Sequence, residues 1–361
     1  MNVSWIGLDL CICVYSVNPV INIKSKIISL FIMEEPVDVI RECSRAALTV
    51  SRRTQRDDET DSRRHIISEN TTPTVVADIA TRLKCKTAVS AADLRTLKNS
   101  LLDDLKHVEV VLNTQGALRG LVRELTGHDA QRALHAAGCI CNLSLGDARA
   151  CTTVARAAGT YLIAALPSLH SEMAATCARA LGNCAGGGAG AAAALVSQGA
   201  AAALAARARV TSLDSHVSAA AATALAHLAY QAADNFRKEH ALPIVQALSH
   251  TRFTHSSLQL LFILSCRDDF NEIINEQLLL NVLEHTTSME TDSFLYAVRT
   301  LANITLNDHI YSVITSHFAM RVDVLKKALT MSDDIVKSVL WLLGNLFNFK
   351  CDNELFNELL C

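Results

Sequence analysis

The chain has 361 residues, a formal net charge of −3 and only 19% charged residues. That balance gives no support for general nucleic-acid binding. Half of the residues are hydrophobic, 5% are aromatic and five are prolines, and the abundant alanine and leucine suit closely packed helices.

Residues 1–32 differ from the rest. Trp5 to Asn22 is apolar apart from Asp9, and Ile27 to Met33 is apolar again after Lys24 and Lys26. A spanning helix needs roughly 20 consecutive apolar residues, and Asp9, Pro19 and the lysines interrupt this run. A signal peptide carries its positive charge ahead of the apolar core, not behind it. The expectation is an upstream gene-model extension with Met33 as the natural start; a weak membrane anchor is the alternative.

Residues 33–74 form a second section. From Arg41 to His65, clusters of basic residues flank an acidic patch, as in Ser51-Arg52-Arg53-Thr-Gln-Arg56-Asp57-Asp58-Glu59-Thr-Asp61-Ser-Arg63-Arg64-His65. On its own this is a solvated arm, followed by a polar linker over 68–76.

Helical apolar spacing starts near Val75. Val75 to Leu83 and Ala92 to Leu105 read as a worn first repeat. Glycine-containing joints are expected at Gln115-Gly116-Ala117, Ala158-Gly159-Thr160 and Gln198-Gly199-Ala200, because glycine adopts helix-end backbone angles without strain. Further helices are expected over Leu118–Leu125 and Leu162–Leu169. The run 185–206 is rich in alanine and glycine, which contribute little transfer energy, and it falls on a repeat joint. It is expected to belong to the repeats, not to a membrane span. Its Gly186–Gly190 stretch lacks the preceding strand and following Lys-Ser/Thr of a phosphate loop.

One phrase recurs through the remainder. It reads Gly138-Cys-Ile-Cys-Asn142, Arg179-Ala-Leu-Gly-Asn183, Arg299-Thr-Leu-Ala-Asn303 and Trp341-Leu-Leu-Gly-Asn345, with His227 and Ile263 in the asparagine slot of two degenerate copies. The slots are spaced by 41, 44, 36, 40 and 42 residues. A period near 40 with helical patterning inside it is the mark of an armadillo or HEAT array. The expected fold is all-α, an armadillo/HEAT-type right-handed superhelical solenoid over 75–361 with about six to seven repeats. The chain stops at Cys361 just after the pattern of a further repeat opens, so truncation at the C-terminus is expected. The twelve cysteines include Cys139, Cys141, Cys177, Cys184 and Cys266 inside these phrases. Free cysteine there behaves as a small buried hydrophobe, which favours a reduced cytosolic or nuclear compartment. Cys139-x-Cys141 lacks the partner pair of a zinc site.

Residues four apart on a helix share a face, so stacking sets the slot residues and those four before them in rows. An asparagine amide donates and accepts and so can clamp an extended peptide backbone. The competing role is to bond neighbouring turns and stiffen the stack. Asn142, Asn183, His227, Asn303, Trp341 and Asn345 are the candidate peptide-binding residues.

Trp341-x-x-x-Asn345 resembles the WxxxN element of importin-alpha armadillo repeats. Ala136-Ala-Gly-Cys-Ile-Cys-Asn142-Leu-Ser-Leu-Gly146 and Leu181-Gly-Asn183-Cys-Ala-Gly-Gly187 resemble that family's EAAWALTNIASG and LGNIAGDG without gaps. Ser51 to His65 resembles the LRKxKRDDxxLKRRN core of its importin-beta-binding segment, with Arg52, Arg53, Arg56, Asp57, Asp58, Arg63 and Arg64 on matching positions. The resemblance covers roughly 41–361 and is strongest to divergent members named as transmembrane and coiled-coil domain-containing proteins. It implies an adaptor in nuclear protein import found in cytoplasm and nucleus. Arg52, Arg53, Arg56, Arg63 and Arg64 would bind an importin-beta-type carrier, and the groove would hold a cargo peptide. The family's tryptophans four before each slot are replaced by Gly138, Arg179, Thr223, Gln259 and Arg299, leaving Trp341 alone. Arg179 and Arg299 repel a basic segment, so classical recognition of a nuclear localisation signal is not expected. An armadillo scaffold with a vestigial arm and a membrane-associated armadillo protein are the alternatives. The thirteen histidines show no paired spacing for a triad or metal site, so neither catalysis nor a cofactor is expected.

Overall fold

The computed structural model describes residues 72–360, apart from 87, 210–214, 233–234, 252, 288–290, 305 and 351–353. The described residues are helical without a strand and divide between Asn307 and Asp308 into two compact units.

The first unit runs in chain order through α1 (Pro73–Lys84), α2 (Ala91–Asp103), α3 (Leu105–Asn113), α4 (Ala117–Leu125), α5 (Ala130–Leu143), α6 (Ala148–Ala165) and α7 (Ser171–Gly186). It continues with α8 (Ala189–Ser197), α9 (Ala200–Ala208), α10 (Ser215–Gln231), α11 (Lys238–Ser249), α12 (His255–Ser265), α13 (Glu276–Glu284) and α14 (Thr291–Asn303). Short side-chain caps set many of the starts. Asp104, Asp129, Asp147, Thr254 and Asn275 each accept a backbone N–H from the first turn they precede, satisfying donors that the helix cannot. Ser90 and Asp93 form a reciprocal capping box on α2. The Asp93 carboxylate also accepts from both Arg82 Nη atoms at 2.9 and 3.0 Å, and this pairing holds its pKa far below the usual carboxylate range.

Packing follows the repeat. The slot-bearing helices α2, α5, α7, α10, α12 and α14 stack successively into one layer. A second layer is built from α1, α4, α6 and α8, and from α9, α11 and α13. Contacts are therefore between neighbouring repeats, as a quasi-one-dimensional array requires. Alanine lets the backbones approach: Ala174 and Ala175 of α7 are buried with Val217 of α10. Polar side chains then staple one repeat to the next. Arg123 donates to the Leu83 carbonyl at 3.3 Å, Gln198 to Ala155 at 3.2 Å and Asn281 to Ser249 at 3.1 Å. Arg267 donates to the Phe236 carbonyl, lies 5.9 Å from the Phe236 ring centroid and pairs with Asp269 at 2.7 Å.

Two of the three expected glycine joints are joints. Gly116 and Gly199 have φ of +97° and +85° and precede α4 and α9, where a side chain would be strained. Gly159 is not a break; it lies inside the continuous α6. A Cβ there would meet Gln198 Oε1 at 2.2 Å and Leu195 Cδ2 at 2.8 Å, so this glycine admits the neighbouring repeat. The helix expected over Leu162–Leu169 ends at Ala165, ahead of Pro167, and Leu169 is exposed. The apolar run after Ala185 forms α8 and α9, which meet at 82° and bury Ala191, Ala192, Leu195, Ala200, Leu204 and Ala205. Among the described residues no single helix is long and apolar enough to cross a membrane. Residues 1–32 and the basic stretch from Arg41 to His65, for which the sequence sets expectations, fall outside the described residues.

The second unit holds α15 (Asp308–Ala319), α16 (Val322–Ala328), α17 (Asp333–Phe349) and α18 (Glu354–Leu360). Tyr311 donates to the Lys350 carbonyl at 2.8 Å, and Lys350 pairs with Asp308 at 2.9 Å. Leu355, Phe356 and Leu359 of α18 are buried, with Phe356 edge-on to Phe347 at 5.3 Å.

Candidate functional site

The slot residues of the first unit act on the repeat before their own. Asn142 donates to the Lys98 carbonyl at 2.7 Å, Asn183 to Cys141 at 3.5 Å, and His227 Nδ1 lies 2.8 Å from the Gly182 carbonyl. A carbonyl cannot donate, so His227 carries its proton on Nδ1. Cys141 and Gly182 each lie one residue before the preceding slot. By the same rule Lys98 marks Asn99 as a slot, at the end of Arg95-Thr-Leu-Lys-Asn99 and 43 residues (142 minus 99) before Asn142. The sequence reading missed it because its flanks are charged where other copies are small or apolar. The signal was the Arg-x-x-x-Asn spacing shared with Arg179 and Arg299.

The chain of bonds stops at Ile263, which is apolar and buried. Beyond it Asn303 turns to Ser265 Oγ at 2.8 Å and Cys266 Sγ at 3.5 Å. Asn142 and His227 are only 3% and 5% exposed, and their observed bonds stiffen the stack. Asn183 is half-buried.

Asn183 and His227 nevertheless meet a cavity of about 310 Å³ between α7 and α10. Its α7 wall is Ala175, Arg179, Gly182 and Asn183; its α10 wall is His216, Ala219, Ala220, Thr223, Ala224 and His227; Ser256 of α12 completes it. Both walls recur every three to four residues, so each is one helix face. Two slots and the residues four before them, Arg179 and Thr223, therefore line the same space. Glycine closes one end: a Cβ on Gly182 would lie 3.1 Å from Ala224 Cα, and one on Gly186 would lie 2.8 Å from His227 Nδ1. Ala175, Ala219 and Ala220 leave the other part open. Arg179 Nη2 donates to Thr176 Oγ1 at 3.2 Å, and Thr223 Oγ1 to Ser256 Oγ at 3.1 Å.

Elsewhere the position four before the slot is filled from within the chain. The Lys98 stem lies over Gly138, with its Cδ 2.5 Å from where a Cβ would stand. Gln259 donates to Tyr296 Oη at 3.4 Å. Arg299 is buried, 5.8 Å from the centroid of the Phe262 ring. Trp341 and Asn345, both half-buried and one turn apart on α17, belong to the second unit. Arg52, Arg53, Arg56, Arg63 and Arg64 lie outside the described residues.

Chemistry on the thiols is disfavoured where they are buried. Burial pushes the Cys177 thiol up to about 12 and raises Cys139 further, leaving no thiolate at neutral pH. Among the described residues no group of three or more His, Cys, Asp or Glu could hold a metal ion.

No protein-family model matches the chain, and no curated protein matches it. Solved structures do. An engineered protein is similar at 26% identity and a TM-score of 0.65, covering 75% of this chain and 68% of its own. A designed armadillo-repeat protein is similar at 17% identity and a TM-score of 0.47, covering 75% and 99%. A second designed armadillo-repeat protein, solved in complex with the peptide (KR)4, is similar at 16% and 0.47 with the same coverage. The stacked helix layers and the slot period near 40 make the fold an armadillo-type helical repeat.

Proposed function

We propose that this protein is a protein-interaction scaffold that holds an extended segment of a partner along the layer of slot helices. The observation that carries this is the α7–α10 cavity, where two consecutive slots and their partners four residues earlier converge on one open space. Small residues recurring on both walls keep that space open, and backbone-bonded slots hold its walls in place.

Within this reading, the protein is an importin-alpha-like adaptor in nuclear import. Support comes from the sequence Ser51 to His65, whose five arginines match the importin-beta-binding pattern. Arginine suits an acidic carrier surface because its planar fork pairs bidentately with carboxylates. Its place of action is then the cytoplasm and nucleus.

The test is fluorescence anisotropy of a labelled peptide spanning residues 38–70, titrated with importin-beta. Salt-sensitive binding is expected, and a peptide carrying Arg52→Glu, Arg53→Glu and Arg56→Glu should lose at least about tenfold in affinity, roughly 1.4 kcal/mol. Absence of binding at tens of micromolar would remove the transport role and leave the scaffold.

A further inference from the structure

Cationic side chains gather around the α7–α10 cavity on the slot layer. Arg179 and His216 line the α7–α10 cavity, and none of its described lining residues is Asp or Glu. His216 stands at the second position of α10, a helix of 17 residues, whose N-terminus adds a partial positive charge. One repeat earlier, His135 of α5 is half-buried. Its pKa is lowered first by burial and then by Lys98 and Arg95 of α2, with Glu172 of α7 opposing. Positive charge is thus supplied by Arg95 and Lys98 of α2 and by Arg179 of α7, and burial together with the two α2 cations holds His135 of α5 toward its neutral form. The carboxylates of these helices sit near their ends: Asp93 is capped and paired with Arg82, and Glu172 is in the first turn of α7.

We propose that this face selects an extended segment rich in Asp and Glu, one carboxylate of which enters the α7–α10 cavity against Arg179 and His216. The inference rests on the reading of the slot layer as a peptide groove and adds the chemistry of the occupant. The half-buried Arg179 guanidinium favours a carboxylate more than it would on an open surface, because solvent screens it less, and the His216 ring adds an N–H donor at the cavity mouth. The same guanidinium disfavours a lysine- or arginine-rich segment. Ser256, which accepts from Thr223, keeps its own hydroxyl proton to donate to a carboxylate oxygen, and the alanine walls admit a side chain of glutamate size.

The experiment titrates the full chain with three labelled peptides of equal length: alternating Glu-Ala, alternating Ser-Ala and alternating Lys-Ala. The Glu-Ala peptide should bind at least about tenfold more tightly than the Ser-Ala peptide, with affinity falling as salt rises. Arg179→Gln and, separately, His216→Gln should each weaken it several-fold. Arg156→Gln, an exposed cation on α6, should leave it unchanged. Because Arg179 is half-buried, melting curves accompany each variant, and the exposed His216 carries the test if Arg179→Gln does not fold. Equal loss in Arg156→Gln, or no preference for the Glu-Ala peptide, overturns the proposal. Binding of the Lys-Ala or Ser-Ala peptide that is lost when Ala220→Trp fills the cavity overturns the acidic preference and leaves the groove standing. Failure of all three peptides to bind overturns both.

Discussion

Phe262→Ala is expected to cost about 3–5 kcal/mol of stability, the range for deleting a fully buried aromatic ring. Phe262 is 1% exposed and sits on α12, between α10 and α14. Its ring stacks on Tyr296 at 5.9 Å and lies under the Arg299 guanidinium at 5.8 Å. Truncation leaves a cavity between repeats, and it strips a buried cation of an aromatic face worth about 0.5–2 kcal/mol. Neighbouring repeats carry the energy of such an array, so hydrogen exchange should accelerate first in α12 and α14. Urea unfolding measures the total. A loss below about 1 kcal/mol would show that this part of the layer is not packed as described.

The second large effect separates two glycines on adjacent helices. Gly120→Ala places a Cβ 2.6 Å from the Leu83 carbonyl oxygen and 2.9 Å from its carbon. Those are backbone atoms of α1, which cannot move without breaking that helix. Overpacking of this kind costs about 1–3 kcal/mol, more than the helix-propensity gain of up to about 1 kcal/mol returns. Gly138→Ala meets an obstruction just as close, Lys98 Cδ at 2.5 Å, but that is the flexible end of a lysine. It should be neutral within about 0.5 kcal/mol or mildly stabilising. Thermal melts of the two variants decide the matter, and equal losses would contradict the packing assigned to α1 and α4.

The repeat was legible in sequence because the slot asparagines perform the same act each time. A side chain that must reach a backbone carbonyl one repeat back has few alternatives, so it recurs at a fixed phase. Asn99 escaped notice because phase alone, with Arg95 and Lys98 around it, offers no hydrophobic signature. Gly116 and Gly159 look alike as letters, yet one provides a positive φ and the other provides room for Gln198. Local sequence cannot tell a turn from a close approach between distant segments. The cavity was illegible for the same reason. It exists because Ala175, Ala219 and Ala220 are small where α7 and α10 face one another, which only their juxtaposition reveals. The pairing of each slot with the residue four before it was legible and placed Arg179 with Asn183, and Thr223 with His227, around one space.

On the proposed reading, the same layer is both stiff and receptive. Slot bonds from Asn142 and His227 hold successive helices in register, so the cavity keeps its walls without a ligand. A preformed site loses less conformational freedom on binding than a mobile one. On the same proposed reading, the residues four before the slots set what is accepted. At Gly138 the space is taken by Lys98, at Thr223 it is open, and at Arg179 it is charged.

The most direct test of the groove is to select random extended peptides on the full chain and remeasure their affinities on Ala220→Trp, whose indole fills the α7–α10 cavity. Peptides that bind the parent chain and lose at least about tenfold, roughly 1.4 kcal/mol, on the filled variant, with its melting temperature unchanged, are the predicted result. Peptides that bind both proteins equally would place the interaction elsewhere and contradict the account.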